Sequence, residues 1–211
     1  MAFIVFEGLD GSGKSTLMKA LTAELTLKKI SFVTTREPGG TPLGDKLREL
    51  IVTKADTAPL PRAELLLYEA SRAQLVEQFI RPHLAKKNWV ISDRFSASSI
   101  AFQCGGRALP SEQVKWLNDF ATQLLEPDLY ILLDVSVEES RRRRQSRAQQ
   151  TGEAEDRIES EKDDFHQKVR HSFLEQAQHN PEHWLIVSAA LKTEEMLKLV
   201  ITKLTDKGWI K

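Results

Sequence analysis

Eight consecutive residues near the amino terminus carry the clearest chemical pattern in the sequence. Residues 8–15 read Gly-Leu-Asp-Gly-Ser-Gly-Lys-Ser, which matches the phosphate-binding pattern G-x-x-x-x-G-K-[ST] in full. The glycines let the backbone curl so that successive N–H groups point at phosphate oxygens, and a following helix adds partial positive charge. Lys14 would hold the β- and γ-phosphates, and the Ser15 hydroxyl suits Mg²⁺. The pattern predicts a nucleotide phosphate site.

An acid and a base end another apolar segment. Asp93 and Arg94 directly follow the run Trp-Val-Ile-Ser at residues 89–92. The carboxyl ends of parallel strands face the ligand crevice, so we expect Asp93 to orient Mg²⁺ or its waters and Arg94 to reach a phosphate. Asp10, inside the phosphate loop, has two interpretations. Its carboxylate either helps to order Mg²⁺ or the acceptor phosphate, or makes a hydrogen bond within the loop.

The phosphate loop alone does not distinguish a kinase from a GTPase or a motor ATPase. Residues 53–56 read Thr-Lys-Ala-Asp, which is the spelling of a guanine-reading motif. They precede the third predicted strand, however, whereas such a motif follows a late one. The D-x-x-G from Asp10 to Gly13 lies inside the phosphate loop itself. We therefore interpret Lys54 as a surface residue.

The elements that must position these residues alternate along the chain. Short apolar runs have the composition of buried strands at residues 2–7, 30–35, 89–93, 129–135 and 184–188. Helical spacing occurs at residues 15–28, 43–52, 63–84, 112–125, 137–147, within 157–178, and at 193–206. Strands that alternate with helices predict a parallel sheet covered on both faces.

The bulk composition limits the class of protein. The chain has 211 residues, 41% of them hydrophobic, so residues 1–211 are expected to form one domain with room for a small lid. Thirty basic and thirty acidic side chains give zero net charge, which argues against a nucleic-acid partner. The single cysteine, Cys104, excludes an intrachain disulfide and favours a reducing compartment. No apolar run is long enough for a membrane span, so we expect a cytoplasmic protein.

Two segments interrupt the alternation. Residues 36–42 read Arg-Glu-Pro-Gly-Gly-Thr-Pro, which predicts a rigid, turn-rich loop directly after the second strand. Residues 141–156 are polar and charged, and they begin with four consecutive arginines. A segment without an apolar stripe is typical of a mobile surface element. We interpret residues 141–156 as a lid.

Several motifs together match one family. The segments that carry the match are residues 7–16, Thr-Arg-Glu-Pro-Gly-Gly-Thr at 35–41, Asp-Arg at 93–94, Ala-Phe-Gln-Cys-Gly-Gly-Arg at 101–107 and Asp-Arg-Ile-Glu at 156–159. They resemble thymidylate (dTMP) kinases of the bacterial type, from residue 2 to the carboxyl terminus. The resemblance implies a P-loop nucleoside-monophosphate-kinase fold with a five-stranded parallel sheet and a short lid. It also implies Mg²⁺- and ATP-dependent phosphorylation of dTMP to dTDP, and a homodimer formed through packed helices.

The resemblance assigns the donor side of the reaction. The predicted ATP-binding residues are Gly8, Leu9, Asp10, Gly11, Ser12, Gly13, Lys14, Ser15 and Thr16. The predicted Mg²⁺ residues are Ser15, Asp93 and Asp10, and the predicted catalytic residues are Lys14, Asp10, Arg94, Arg143 and Arg147. Because the variable positions of the phosphate loop hold no basic residue, the catalytic cation must come from the lid, with the choice between Arg143 and Arg147 left open. Arg141, Arg142 and Arg144 are expected on other faces as solvated charges.

The resemblance also assigns the acceptor side. Arg36 and Arg94 would hold the dTMP phosphate, with Glu37 beside them. Tyr68 would stack on the thymine ring and Arg72, one helical turn later, would contact a carbonyl edge. The remaining predicted contacts are Ser99 and Gln103 on the polar edge of the pyrimidine, and Phe102 beside C2′ of the sugar. A bulky ring beside C2′ would exclude a ribose hydroxyl.

Two other functions remain compatible with the residues. The chain could phosphorylate another nucleoside monophosphate, which a panel of acceptors would reveal. It could also be a nucleotide-dependent switch without turnover, which multiple turnovers with ATP and dTMP would exclude. Phe95, Glu69 and Cys104 depart from the usual pattern of the family and affect the detail of the pocket. Residues 189–191 are a candidate lining of the adenine site.

Overall fold

In a computed structural model of the chain, residues 1–55, 58–152 and 154–210 are described. Within those residues a parallel sheet contains five strands: β1 (Phe3–Glu7), β2 (Phe32–Arg36), β3 (Trp89–Asp93), β4 (Leu129–Asp134) and β5 (Trp184–Ser188). The strand order is β2-β3-β1-β4-β5, with every neighbouring pair parallel. The predicted five-stranded parallel sheet is confirmed. The largest shift in a strand boundary is at β2, which begins two residues later than its apolar run.

Helices connect the strands. They are α1 (Lys14–Leu27), α2 (Pro42–Val52), α3 (Pro61–Leu75), α4 (Arg81–Ala85), α5 (Ser96–Ser99), α6 (Ser111–Thr122), α7 (Val137–Thr151), α8 (Asp163–His179) and α9 (Thr193–Asp206). A π-helical segment, Val76–Ile80, joins α3 to α4, so the predicted helix over 63–84 is continuous. A second π-helical segment, Ile100–Gly106, extends α5. The sequence patterns predicted no helix over 96–106.

The hydrophobic core lies on both faces of the sheet. The central strand β1 is therefore buried along its whole length. Phe3 and Val5 belong to one hydrophobic cluster, which α8 completes with Val169 and Phe173. Ile4 and Phe6 point to the opposite face, where they join a cluster that includes side chains of α1 and α9. The alternation along β1 thus confirms the prediction that helices cover both faces of the sheet. No helix within the described ranges is long and apolar enough to cross a membrane.

The sheet register brings the chemical residues to one edge. Arg36 pairs with Asp93 across β2 and β3, and Phe6 pairs with Asp93 across β1 and β3. The phosphate loop follows β1 directly, so it leaves the sheet at the same edge as these two residues. The parallel arrangement therefore places the loop, the acid–base pair and the segment after β2 around one crevice.

The arginines of α7 differ from the expectation in one case. Arg141 and Arg142 are exposed, as predicted for solvated charges. Arg144 is buried: its Nη1 donates to Ser140 Oγ at 2.6 Å and its Nε donates to Glu155 at 3.1 Å. The prediction that Arg144 is a solvated charge is wrong, because the helix face that carries it packs inward instead of facing water.

Candidate active site

The phosphate loop has the backbone that anion binding requires. Gly8 has φ 131°, and a Cβ there would lie 2.5 Å from the carbonyl oxygen of Leu133, so only glycine fits. Gly13, with φ 97°, caps the amino terminus of α1 in a left-handed conformation. The side chain of Lys14 folds back over the loop, and its Nζ donates to the carbonyl oxygens of Gly8 and Leu9, each at 3.2 Å.

Lys14 lies where a bound anion would stabilise its positive charge. Its side chain is buried, and burial together with the charge of Arg94 lowers the pKa of Lys14 below its ordinary value. Asp93, Asp10 and Glu7 oppose that shift. A bound phosphate would add negative charge beside the ammonium group and stabilise its protonated form.

Asp10 and Arg94 form the central ion pair of the site. Arg94 Nη2 donates to Asp10 Oδ1 at 2.9 Å, and Lys14 Nζ lies 3.9 Å from the same oxygen. Burial alone would raise the pKa of Asp10, but the charges of Arg94 and Lys14 hold it well below its ordinary value. The carboxylate is therefore ionised and bonded to the residue after β3, which is neither of the partners proposed from the sequence.

Glu7 is a part of the site that sequence reasoning missed. The carboxylate is fully buried; Oε1 accepts from the Phe95 N–H at 3.0 Å and Oε2 accepts from Ser98 Oγ at 2.7 Å. Arg94 Nη1 lies 3.6 Å from Oε2. Burial raises the pKa of Glu7 to about 7, although Arg94 and the hydrogen bonds oppose the shift. The available signal was its position: like Asp93, it is an acid that ends a buried strand.

Ser15 and Asp93 line the same large cavity and offer oxygen atoms to it. Asp93 Oδ1 is buried, with no hydrogen-bond partner in the described part of the chain. A carboxylate and a hydroxyl that line one cavity match the hard oxygen ligands that Mg²⁺ prefers. Among the described residues no three His, Cys, Asp or Glu side chains converge, so Mg²⁺ here would take its other ligands from phosphates and water.

One cavity of about 730 Å³ joins the predicted donor and acceptor residues. Its lining includes Asp10, Gly11, Gly13, Lys14, Ser15, Thr16, Arg36, Glu37, Asp93, Arg94, Arg143 and Arg147. Arg36 lies at the rim, where Nη2 bonds Asp45 at 3.1 Å and much of the side chain remains exposed. Cations from the loop, two strand ends and α7 thus surround a single space, which suits a group of several phosphates.

A smaller cavity of about 60 Å³ adjoins the first and shares Asp10, Glu37 and Arg94 with it. The structure brings four of the predicted base-binding residues together in its lining: Tyr68, Ser99, Phe102 and Gln103. Two aromatic rings and short polar groups beside a cation are the side chains that a planar base joined to a phosphate requires. At about 60 Å³ the pocket must widen to admit such a ligand.

Arg72 is not among the residues that line either cavity. Its side chain is 1% exposed and lies behind Ser99, to whose Oγ Nη1 donates at 2.8 Å. The remaining acceptors are Glu37 at 2.8 Å, Glu69 at 2.6 Å, the amide oxygen of Asn118 at 2.7 Å and the backbone oxygen of Phe95 at 3.1 Å. Glu69, which departs from the family pattern, is thus a partner of Arg72. Asn118 lies in no recognisable motif.

Two further residues of the site were not assigned from the sequence. Arg48 of α2 and Asp156 line both cavities, and Arg48 Nη1 also donates to the backbone oxygen of Pro38 at 3.3 Å. Asp156 belongs to the Asp-Arg-Ile-Glu segment, which is one of the motifs that carry the family resemblance. Arg48 is one of several charged residues on an amphipathic helix and belongs to no such motif.

The two predicted lid arginines occupy different positions on α7. Arg143 contacts the phosphate loop, where Nη1 donates to the Gly11 oxygen at 3.4 Å. Its Nη2 donates to the Ala189 oxygen at 2.9 Å, so the loop after β5 lies beside it. Arg147 bonds Glu159 across the lid and is half exposed. The described part of residues 141–156 thus contacts the phosphate loop through Arg143 and Glu159 through Arg147.

The sequence is similar to those of known proteins over almost its whole length. The family model described as Thymidylate kinase matches residues 6–200. A curated thymidylate kinase of Bdellovibrio bacteriovorus is 58% identical over 207 residues, which cover 98% of this chain and 97% of that protein. Thymidylate kinases of Lactobacillus acidophilus, 40% identical over 97% of this chain and 94% of theirs, and of Geotalea daltonii, 42% identical over 95% and 94%, are also similar.

Proposed function

The chain belongs to the thymidylate kinase family and has its P-loop nucleoside-monophosphate-kinase fold, and on that premise we propose that it transfers the γ-phosphoryl group of ATP to dTMP. The products are dTDP and ADP. The observation that carries the proposal is the cavity of about 730 Å³, in which the phosphate loop faces Arg36 and Arg94 and which continues into the smaller pocket.

The transfer needs positive charge and alignment more than covalent help. An oxygen of the dTMP phosphate attacks the γ-phosphorus of ATP, and the bond from that phosphorus to the β,γ-bridging oxygen breaks as ADP leaves. Lys14 and the N–H groups of residues 8–16 hold the donor phosphates. Arg36 and Arg94 hold the acceptor phosphate, and Asp10 keeps Arg94 in place through the bond at 2.9 Å.

Ser15 and Asp93 would hold Mg²⁺, because both residues line the cavity and Asp93 Oδ1 has no hydrogen-bond partner among the described residues. The ion would neutralise charge on the donor phosphates. Asp10 is a weaker candidate for a ligand, since Arg94 already occupies its Oδ1. We expect Asp10 to act on the metal through water.

We assign Arg143 and Arg147 to the transferring phosphoryl group. The phosphate loop has no cation between Leu9 and Ser12, and Arg143 already contacts the loop at Gly11. Closure of residues 141–156 would exclude water, which competes with dTMP as an acceptor. Both arginines have carboxylate partners, Glu139 for Arg143 and Glu159 for Arg147. Arg143 is the better placed of the two, since it already contacts the phosphate loop.

The smaller pocket would bind the nucleoside. Tyr68 would stack on thymine, Ser99 and Gln103 would contact its polar edge, and Phe102 would leave no room for a 2′-hydroxyl. Arg72 would contact the base only after it gives up one of its protein acceptors. In the present arrangement it fixes Ser99 and Glu37 from behind the pocket.

We also propose that two copies of the chain associate through α6. Trp116 and Phe120 are 64% and 71% exposed, and their rings stack with centroids 5.7 Å apart. Leu124, just after the helix, and Leu66 on the adjacent α3 are exposed as well. Large apolar side chains grouped on neighbouring helices favour burial against a partner, and a second copy offers the same surface.

A panel of acceptors tests the proposed function. With ATP as donor, ADP release would be measured for dTMP, dUMP, dCMP and AMP. We expect multiple turnovers, and a kcat/KM for dTMP at least about 10-fold above that for dCMP or AMP, which one well-placed polar contact provides. Equal use of all four acceptors would contradict the assignment of the pocket. A single turnover without release would indicate a nucleotide switch.

A further inference from the structure

Glu64 is a buried carboxylate of α3 that no sequence motif singles out. Its side chain is 1% exposed and accepts hydrogen bonds from three residues. Oε1 accepts from Gln103 Nε2 at 3.0 Å and from Arg107 Nε at 3.1 Å. Oε2 accepts from Arg107 Nη2 at 3.1 Å and from Arg157 Nη2. Glu64 therefore connects the π-helical segment at 100–106 to the segment after the lid.

The charge of Glu64 decides what it can offer to Gln103. Burial alone would raise the pKa of Glu64, but the hydrogen bonds and charges of Arg107 and Arg157 lower it below its ordinary value. An ionised carboxylate only accepts hydrogen bonds. The atom of the Gln103 carboxamide that faces Glu64 must therefore be the nitrogen, and the amide cannot turn over without placing two acceptors together.

The other end of the carboxamide is then a carbonyl oxygen. Gln103 lines the small cavity beside Tyr68 and Phe102. Within the described residues its only side-chain hydrogen bond is the one to Glu64, so Oε1 is available to a ligand. A base in this cavity thus meets a hydrogen-bond acceptor that the protein has oriented in advance.

We propose that Glu64 is a positioning residue that selects the class of pyrimidine by fixing the Gln103 carbonyl toward the base. Thymine and uracil carry an N3–H, which can donate to that oxygen. Cytosine carries an unprotonated N3, which is an acceptor and would oppose it. This inference rests on the proposed function and adds a reason why thymine and uracil bind while cytosine does not.

Replacement of Glu64 by glutamine should change the group that Gln103 presents to the base from an acceptor to a donor. Oε2 accepts from two arginine groups, whereas Oε1 accepts from only one besides Gln103. The carbonyl of the new side chain would therefore stay at Oε2, and its NH₂ group would take the position of Oε1, where Arg107 Nε also loses its acceptor. There it faces Gln103 Nε2, and two donors would meet. The Gln103 carboxamide would turn over to relieve the conflict and would present its NH₂ group to the base.

The test is the ratio of kcat/KM for dTMP to kcat/KM for dCMP, measured with ATP on wild type and Glu64→Gln. The ratio does not depend on the fraction of active protein, so partial loss of folding does not affect it. We expect the ratio to fall by about 10- to 100-fold in Glu64→Gln, the effect of one mismatched hydrogen bond in a pocket. An unchanged ratio would overturn the proposal.

Two further variants separate orientation from simple support of the fold. In Glu64→Gln/Gln103→Glu, residue 64 donates to residue 103 and a carboxylate oxygen again faces the base, so the ratio should recover to within a few-fold of wild type. Glu161→Gln removes a carboxylate that bonds Arg107 and has no hydrogen bond to Gln103 among the described residues, so the ratio should not change. A purely structural role for Glu64 predicts no recovery in the double variant.

A structure of wild type with dTMP keeps the inference testable even where a variant does not fold. Gln103 should lie within hydrogen-bond distance of both Glu64 and N3 of the base. A Gln103 that leaves Glu64 or points away from N3 would overturn it. Failure of the proposed function looks different, since wild type itself would then show no preference for dTMP in the acceptor panel.

Discussion

Glu7 shows how one residue of the site affects the stability of the whole fold. It occupies the carboxyl end of the central strand, where burial raises its pKa to about 7. The folded state therefore binds this proton more tightly than the unfolded chain, in which a glutamate has its ordinary value near 4.5. The stability that the proton confers is complete below about pH 4.5 and is lost as the pH rises through about 7.

Replacement of Glu7 by glutamine, which does not ionise, should remove that loss. The difference in unfolding free energy, Glu7→Gln minus wild type, should increase by about 3 kcal/mol between pH 4.5 and pH 8. Urea denaturation of both proteins across this range would measure it. Two stability curves that stay parallel would show that Glu7 does not hold the proton.

The sequence predicted the charged residues at strand ends but not the surroundings of each. Asp93, Arg94 and Lys14 follow from motif and register, since the parallel sheet leaves them little freedom. The burial of Arg72 and Arg144 does not follow, because it depends on acceptors such as Asn118 and Glu155 that lie far away in the chain or outside any motif. Arginine is so often exposed that its identity alone predicts the opposite.

At the scale of the element, α7 places neighbouring arginines in different environments. Arg143 contacts the phosphate loop at Gly11, whereas Arg142 is 72% exposed and bonds only Glu139 among the described residues. The two side chains are adjacent in sequence, so they differ chiefly in the direction in which they leave the helix. The pair offers a matched test of the cation supplied by the lid.

Arg143→Ala should lower kcat by about 1,000-fold, which is typical of the loss of an arginine that stabilises a transferring phosphoryl group. Arg142→Ala should stay within about 2-fold of wild type, because an exposed pair contributes little. Steady-state ADP release at saturating ATP and dTMP would measure both. An equal loss in the two variants would point to destabilisation of α7 and against a role at the phosphates.

The elements themselves were largely predictable, with one instructive exception. Apolar periodicity located the strands and most helices because each buries one side. Residues 96–106 are rich in serine, alanine and glycine and lack such a stripe, yet they form α5 and the π-helical segment. Packing explains the difference, since a Cβ at Gly105 would lie 2.9 Å from the Cβ of Ser172. The close approach to α8 holds the segment where local sequence does not.

At the scale of the whole molecule, the alternation of strands and helices was enough to predict the parallel sheet. The volume and connection of the two cavities were not predictable, because they depend on how the lid and α2 meet. A homodimer was expected from the family resemblance, but the sequence did not locate the contact surface. An apolar face on α6 is visible only when the fold shows that Trp116 and Phe120 are largely exposed within the described chain.

Phe120→Glu should convert a dimer into a monomer. The change places a charge in the centre of the proposed contact, where burial without a partner is costly. Sedimentation at micromolar concentration should give about twice the chain mass for wild type and the chain mass for the variant. Leu27→Glu, at an exposed leucine on α1, is the control and should remain a dimer. A monomeric wild type would contradict the proposed association.

The half-buried Cys104 gives this molecule a built-in attachment point for a reporter group. It is the only thiol of the chain and lies in the π-helical segment directly after Gln103. Burial raises the pKa of the thiol, so its alkylation at neutral pH will be slow. A fluorophore coupled there would sit one residue from the base pocket, and its signal would follow nucleotide exchange in real time without any engineered mutation.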